Sequence, residues 1–176
     1  MKFDPLNVEG AFAITLEPRG DDRGWFSRLF CQQEFAEAGL DPRISQVNNS
    51  LSADRGTLRG LHYQLGAAAE TKLVRAVRGA VFDVCLDLRR DSPTYLAWAG
   101  IEVSSSNRTM LYVPRGCAHA ILTLEDETEL IYFASQAYNG ASESGARWDD
   151  PAFGINWPIQ PTVVSDKDAN WPLWEV

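Results

Sequence analysis

The stretch VRAVRGAVFDVCLDL, residues 74–88, carries the pattern that decides the fold. It is rich in valine, has Gly79 near its middle, and in its second half apolar residues alternate with Asp83, Cys85 and Asp87. A period of two together with β-branched side chains is typical of β-strands. We therefore predict strand structure over residues 74–88.

Four more segments of the same kind follow at short intervals. They are WAGIEVS (98–104), TMLYVP (109–114), AHAILTL (118–124) and ELIYFAS (129–135), with the turn-rich pieces SSSNR, PRGC and EDET between them. Several short strands separated by turn signals indicate a β-sandwich or a β-barrel. The chain is thus expected to be all-β.

Two other regions depart from the strand pattern. Helical periodicity occurs only in CQQEFAEAGL (31–40), where Gly39 is placed to end a short helix in the left-handed conformation. The segment WDDPAFGINWPIQP (148–161) is rich in Trp and Pro, which predicts an irregular strap over the core. No repeat, low-complexity tract or linker divides residues 1–176, so we expect a single domain.

Composition restricts the classes of protein to which the chain can belong. Its 176 residues are 45% hydrophobic and 23% charged, with a net charge of -8. Such an acidic balance argues against nucleic acid as a partner, and no apolar run is long enough for a membrane helix. The start MKFDPLNVEG has no signal-peptide pattern, and the three cysteines lack metal or redox spacing. We expect a reduced, cytoplasmic protein.

One stretch runs against this acidic balance. Residues 54–79 hold five basic side chains against two acidic ones, whereas the predicted hairpin tip EDETE (125–129) holds four acids. A local basic cluster beside a histidine suggests a pocket for a phosphate or a carboxylate. The alternative is a solvated strand face, which charge alone favours by about two to one.

The chain has only two histidines, His62 and His119. A metal site inside a β-barrel usually combines two or three histidines with a carboxylate, and Gln64 stands where a further histidine would be expected. A site built from both histidines and Glu70 is a weak alternative, so no metal is expected. A lone histidine is more often a hydrogen-bonded structural residue than a catalyst.

Several sequence segments, taken in their order along the chain, indicate that these histidines are functional residues. They are DDRGWFSRLF (21–30), QVNNSLSADRGTLRGLHYQ (46–64), KLVRAVRGAVFDVCLDLRRDSPTYLAW (72–98), LYVPRGCAHAILTL (111–124), the segment from Tyr132 to Tyr138, RWDDPAFGINWP (147–158) and SDKD (165–168). Together they resemble the dTDP-4-dehydrorhamnose 3,5-epimerase family across nearly the whole chain. The resemblance implies a cupin-type jelly roll (a double-stranded β-helix) without metal or cofactor. It also implies a homodimer that exchanges strands and completes each pocket with partner residues.

The resemblance also implies a reaction and a proton-transfer set. The family inverts two carbons, C3″ and C5″, that flank the ketone of a nucleotide-linked 4-keto-6-deoxy sugar. Inversion needs a base on one face and an acid on the other. By resemblance His62 is the base, Asp168 orients it, Tyr132 is the acid, and Lys72 stabilises charge on the keto oxygen.

Further positions match the family's substrate-binding residues. Arg59 and Arg23 correspond to diphosphate ligands, with Arg23 reaching across the dimer, and His119 corresponds to a donor near the sugar. The remaining matched positions are Phe26 and Tyr138, associated with stacking on the nucleobase, and Gln46 and Asn48. For both aromatic residues, packing in the core is an equally good interpretation.

Three positions depart from the family pattern. Arg28 replaces a usual acidic residue near the expected base pocket, which leaves the nucleotide open. Ala120 replaces a glycine and Ile121 an aromatic residue; the added methyl beside His119 is expected to alter the fit of the sugar. The sequence therefore predicts an epimerase acting on both carbons. The alternatives are an enzyme specific for C3″ or C5″, a non-catalytic sugar-nucleotide binding module, and a metal-dependent enzyme on the same fold.

Overall fold

The computed structural model describes residues 1–175. Its strands are β1 (Lys2–Pro5), β2 (Phe12–Thr15), β3 (Arg19–Asp21), β4 (Gly24–Phe26), β5 (Gln46–Ser52), β6 (Thr57–Gln64), β7 (Lys72–Arg78), β8 (Ala80–Asp87), β9 (Trp98–Ser104), β10 (Thr109–Val113), β11 (Cys117–Thr123), β12 (Thr128–Ala134), β13 (Glu143–Gly145) and β14 (Val163–Val164). Two short α-helices, α1 (Gln32–Glu37) and α2 (Asp166–Ala169), and a 3-10 turn at Gly66–Ala68 complete the elements.

The strands form two sheets that lie face to face. The first has the order β1-β2-β10-β7-β12-β5, and the second has the order β13-β6-β11-β8-β9 with β14 parallel to β6. Within the described residues, the hairpin β3–β4 pairs with neither sheet. The prediction of an all-β jelly roll with a short helix and an irregular segment near its C-terminal end is confirmed.

The predicted strand over 74–88 is two strands, and this is the main correction to the element predictions. Gly79 has φ +70° and separates β7 in the first sheet from β8 in the second. A Cβ atom at this position would collide with the Oγ1 atom of Thr128 and lie 3.0 Å from its Cα. The valine-rich pattern continues on both sides of Gly79, but the backbone turns at this residue and passes from the first sheet to the second.

The alternation of apolar and polar residues in β8 does not correspond to one buried and one solvent-exposed face. Asp83 and Asp87 are both fully buried, although they occupy the polar positions of the pattern. Burial alone would raise the pKa of Asp87, but hydrogen bonds from Arg89, Ser92 and Thr94 outweigh it and lower that pKa. The strand is covered on both faces because the strap packs on the outside of its sheet through Phe153 and other apolar residues.

The helices confirm one expectation and add an element. After α1, Gly39 adopts φ +75° and Leu40 donates its N–H to the carbonyl of Phe35, which ends the helix as predicted. Residues 146–162 hold neither helix nor strand, in agreement with the predicted strap. Helix α2 was not predicted, because four residues are too few to show helical periodicity. None of the helices in residues 1–175 has the length and apolar character needed to cross a bilayer.

Replacing Gly79 by Ala should destabilise the protein by about 2–3 kcal/mol, because the new methyl meets Thr128 in a backbone conformation that L-residues avoid. Gly154→Ala is the matched control, since Gly154 also has positive φ (+56°) but has open space where a Cβ would lie. We expect about 1 kcal/mol for the control. Urea denaturation measures both, and equal losses would contradict a steric role for the corner.

Candidate active site

A cavity of about 470 Å³ lies between the two sheets. Its walls come from β5, β6, β7, β11, β12, β14 and α2. The polar side chains that line it are Ser50, Thr57, Arg59, His62, Lys72, His119, Tyr132, Ser165, Lys167 and Asp168. Apolar residues such as Val74, Ile121 and Leu130 supply the rest, so the site is a partly apolar pocket with convergent charged groups.

An irregularity in β6 directs two of these side chains into the cavity. His119 pairs with His62 and Ile121 pairs with Arg59, so two steps along β11 match three steps along β6. Residues three apart on a regular strand point to opposite faces, whereas a bulge corrects the parity. Arg59 and His62 therefore both reach the cavity. The glycine inside LRGLHYQ, Gly60, was the available sequence signal for this bulge.

His62 is hydrogen-bonded to a buried carboxylate. Its Nε2 atom lies 2.6 Å from Oδ1 of Asp168, while Oδ2 accepts the N–H of Gly60 at 3.2 Å. The Ser165 hydroxyl caps α2 by accepting the N–H of Asp168 at 3.1 Å. Burial opposes ionisation of Asp168, but the hydrogen bond and charge of His62 and the other donors lower its pKa overall. The carboxylate therefore fixes the orientation of the imidazole.

A second histidine–aspartate pair stands beside the first. His119 Nε2 lies 2.6 Å from Oδ1 of Asp83, and His119 is the cross-strand neighbour of His62. Complete burial raises the pKa of Asp83, opposed by the nearby charges of His119 and Lys72. In residues 1–175, its Oδ2 atom has no hydrogen-bond partner. Asp83 was not predicted as a site residue, because its place in the alternation of β8 is that of an ordinary solvent-facing residue.

The facing sheet contributes Tyr132 and Lys72 to the cavity. Burial raises the pKa of the Tyr132 phenol, and the negative charge of Glu70 raises it further. The Lys72 ammonium lies 3.4 Å from Oε1 of Glu70. The cavity thus has a histidine–carboxylate pair on the β6 wall and a protonated phenol with a cation on the opposite wall.

Binding residues predicted on β5 and β6 lie at or near this cavity. Arg59 lines it, with its Nε donating to the Ser52 hydroxyl at 3.1 Å. Asn48 is directly paired with Tyr132 across β5 and β12, so both side chains lie on the same face of the sheet. Gln46, one alternation away, accepts the backbone N–H of Tyr138 through its side-chain oxygen.

Comparison with known proteins identifies the chain. Residues 5–175 match the family model described as dTDP-4-dehydrorhamnose 3,5-epimerase. This chain belongs to the dTDP-4-dehydrorhamnose 3,5-epimerase family. It is accordingly an isomerase of the epimerase type, and the resemblance noted from the sequence blocks is confirmed.

Individual relatives of this epimerase agree with the family model. A dTDP-4-dehydrorhamnose 3,5-epimerase from Sinorhizobium fredii is 44% identical over 98% of this chain and 89% of the relative. A dTDP-4-dehydrorhamnose 3-epimerase from Streptomyces niveus is 40% identical over 97% and 82%. The crystal structure of the 3,5-epimerase from Bacillus anthracis, with TDP and PPi bound, superposes with a TM-score of 0.94 at 38% identity, covering 98% of this chain and 99% of that one.

Besides Gln46 and Asn48, which do not themselves line the 470 Å³ cavity, four further predicted binding residues of the epimerase lie outside it. Arg23, on the turn of the β3–β4 hairpin, is paired with Asp21 and almost fully exposed. Phe26 and Arg28 line a separate cavity of about 350 Å³. Tyr138 donates its hydroxyl to Glu143 at 2.9 Å. Phe26 and Tyr138 are 71% and 63% exposed, so the interpretation that these rings pack in the core is wrong.

The structure corrects one interpretation of the departures in the epimerase sequence, whereas the role of Arg28 in binding stays a prediction. Arg28 does not line the 470 Å³ cavity of its own chain, and its guanidinium lies 2.7 Å from the Glu34 carboxylate. The Ala120 methyl does not lie beside His119 in the pocket, because alternation turns it to the other face of β11, where it packs in the core against the backbone of Gly60. Ile121, in contrast, does line the cavity.

The residues of the weak metal-site alternative and of the charge pattern can also be located in the structure. Glu70 is engaged with Lys72 and Gln64, and residues 1–175 contain no group of three His, Cys, Asp or Glu side chains suited to a metal ion. Of the five basic residues in 54–79, Arg59 and Lys72 line the cavity of the epimerase, whereas Arg78 lies near Glu127 and Glu129. Lys167 also lines the cavity and was missed, although it lies in the SDKD block.

Replacing Asp168 by Asn should lower stability by about 2 kcal/mol at pH 7, because a charge-assisted bond to His62 is lost. A carboxyl whose pKa is lowered on folding stabilises the protein above its ordinary pKa of 3.8, and this contribution disappears as the pH falls through the lowered value. The difference in the free energy of unfolding between wild type and Asp168→Asn should therefore become smaller as the pH falls below 3.8.

Denaturation at neutral and acidic pH measures this difference. Asp166→Asn is the matched control, since Asp166 lies on the same helix but is exposed. A difference between wild type and Asp168→Asn that stays constant with pH would contradict a stabilising ionised carboxylate.

Proposed function

We propose that the chain converts dTDP-4-dehydro-6-deoxy-D-glucose to dTDP-4-dehydro-L-rhamnose by inverting C3″ and C5″, with neither metal nor cofactor. One observation carries this proposal: His62 and Tyr132 project from facing sheets into one cavity. A sugar ring bound between them has a base on one face and an acid on the other, as inversion requires. The lining residues run from position 50 to 168, which supports a single catalytic domain over residues 1–176.

The proton path follows from the hydrogen bonds of His62. When its Nε2–H donates to Asp168, the lone pair on Nδ1 is free to remove the proton from the carbon next to the ketone. The imidazolium that forms is stabilised by the ionised Asp168. Tyr132 then donates its phenolic proton to the opposite face of the same carbon, and its raised pKa keeps that proton available at neutral pH.

Lys72 supplies stabilisation that a single base cannot. The pKa of a C–H group next to a sugar ketone is more than about ten units above that of imidazole. Transfer of this proton to imidazole therefore costs more than ~13 kcal/mol. A fixed cation beside the keto oxygen stabilises the enolate as charge develops on that oxygen. His119, whose Nε2 is paired with Asp83, can donate a hydrogen bond to the sugar from Nδ1 when its ring is protonated on both nitrogens or when Asp83 holds the proton between the pair. Arg59 and Lys167 also line the cavity, where their positive charges can bind the diphosphate.

The proposed enzyme is a homodimer in which the β3–β4 hairpin completes the partner's pocket. Within the described residues this hairpin pairs only with itself, and it presents Trp25 and Phe26 to solvent. Its Arg23 lies outside the cavity of its own chain. Hairpin exchange would cover these aromatic rings and bring Arg23 to the diphosphate in the partner's pocket. We also propose that the protein is cytoplasmic.

A single-centre epimerase is the second candidate, favoured by the 40% identity to the 3-epimerase from Streptomyces niveus. Turnover of dTDP-4-dehydro-6-deoxy-D-glucose in D₂O separates the two. Deuterium at both C3″ and C5″ with an L-configured product supports the 3,5-epimerase, and deuterium at one carbon supports the second candidate. Absence of exchange with this and other nucleotide sugars would overturn both and leave a binding module.

His62→Ala should abolish deuterium exchange while the Kd for dTDP stays within about threefold, because the imidazole removes the proton and does not hold the nucleotide. Tyr132→Phe should reduce inversion more than exchange, since His62 can still return a deuteron to its own face. Mass spectrometry and NMR of the recovered sugar measure both. Equal losses of exchange and inversion in Tyr132→Phe would contradict the division of labour.

Mixing two inactive variants tests the exchanged hairpin. In a hybrid of Arg23→Ala and His62→Ala subunits, one pocket combines an intact His62 with the partner's intact Arg23. After subunit exchange at equal amounts, half of the dimers are hybrids with one complete pocket, so about a quarter of wild-type activity should return. Each variant alone is the control. A mixture as inactive as its components would contradict exchange, as would a monomer in analytical ultracentrifugation.

A further inference from the structure

Glu70 lies behind the cavity and has no role in the proton transfers of the proposed reaction. It follows the 3-10 turn between β6 and β7, two residues before Lys72. Its side chain is only 11% exposed, and the Lys72 side chain opposite it is 14% exposed. Glu70 is not among the residues that line the cavity, so it would act on the substrate only through its neighbours.

The two oxygens of the Glu70 carboxylate are engaged by different partners. Oε1 lies 3.4 Å from the Lys72 ammonium, and Oε2 accepts from Nε2 of Gln64 at 3.2 Å. Gln64 is itself fixed, because its Nε2 donates to the carbonyl of Ala68 and its Oε1 accepts the N–H of Asn139 at 2.6 Å. The carboxylate is therefore anchored on one side and holds a flexible lysine on the other.

This arrangement has a consequence for a cation at an active site. A free lysine side chain carries about 2 kcal/mol of rotamer entropy, which must be lost before the ammonium can meet a developing enolate. A buried partner on the side away from the substrate removes that freedom in advance. We propose that Glu70 is a positioning residue for the epimerisation, whose Gln64-anchored carboxylate holds the Lys72 ammonium at the cavity wall.

The same charge acts on the proton donor. Glu70 raises the pKa of Tyr132, after the larger effect of burial, and Arg59 opposes it. The charged and titratable groups that line the cavity around this phenol are Arg59, His62, Lys72, His119, Lys167 and Asp168. Removing the charge of Glu70 should lower the pKa of Tyr132, so the phenol loses its proton at a lower pH.

Glu70→Gln tests this role, which rests on the proposed function. We expect kcat to fall about tenfold with KM within about threefold, since Glu70 does not touch the ligand. The alkaline limb of the kcat/KM profile should move to lower pH. Glu70→Asp should keep that limb at its wild-type position. Glu102→Gln, an exposed carboxylate on β9, is the matched control and should leave all three quantities unchanged.

A turnover-independent titration separates failure of this role from failure of the proposed function. Tyrosinate absorbance is followed with rising pH in wild type and Glu70→Gln, each after subtraction of the same protein carrying Tyr132→Phe. A lower titration midpoint for Tyr132 in Glu70→Gln is expected even if the natural substrate is a different nucleotide sugar. Unchanged kcat, alkaline limb and midpoint would overturn the proposal. So would a lower melting temperature without any change in the pH profile, which would indicate a purely structural role.

Discussion

The bulge in β6 is the constraint on which the rest of the active site depends. It lets Arg59 and His62, three residues apart, face the same cavity, and it sets His62 directly across from His119. The N–H of Gly60, within the bulge, donates to the carboxylate of Asp168. One local departure from a regular ladder therefore turns the proposed base His62 and the proposed binding residue Arg59 to one face, and it holds Asp168, which orients His62. A regular strand would send either Arg59 or His62 to the opposite face of the sheet.

The second organising principle is that buried charges come in pairs. Asp168 faces His62, Asp83 faces His119, and Glu70 faces Lys72. Two of these carboxylates, Asp83 and Glu70, do not line the cavity, whereas Asp168 lines it together with His62. Five basic side chains thus line the cavity with one carboxylate, although the chain carries a net charge of -8, and this distribution suits an anionic ligand. The basic stretch 54–79 had indicated only that such a pocket could exist.

Sequence reasoning reached the sheet architecture because period-two patterns and turn residues are local. It located β9 at Trp98–Ser104 and the end of α1, but not the corner at Gly79, where the pattern continues while the backbone changes sheet. The resemblance singled out the proposed catalytic residues by position, whereas the geometry that joins them depends on contacts distant in sequence. Asp83 was missed because a strand pattern cannot distinguish a buried aspartate with a histidine partner from a solvated one. Lys167 was missed because α2 is too short to show periodicity.

The hydrogen bond between His62 and Asp168 joins residues 106 positions apart, and this separation bears on when the protein becomes active during its synthesis. All strands that surround the cavity except β14 are complete by Ala134, yet the partner of His62 is supplied by the four-residue helix α2. A ribosome-bound chain with folded sheets would still lack its oriented imidazole until residues 165–168 had emerged. Proteolytic removal of residues 163–168 would likewise leave His62 without its carboxylate partner, although every strand except β14 precedes that segment. The orientation of His62 thus depends on a segment that the chain adds after these strands.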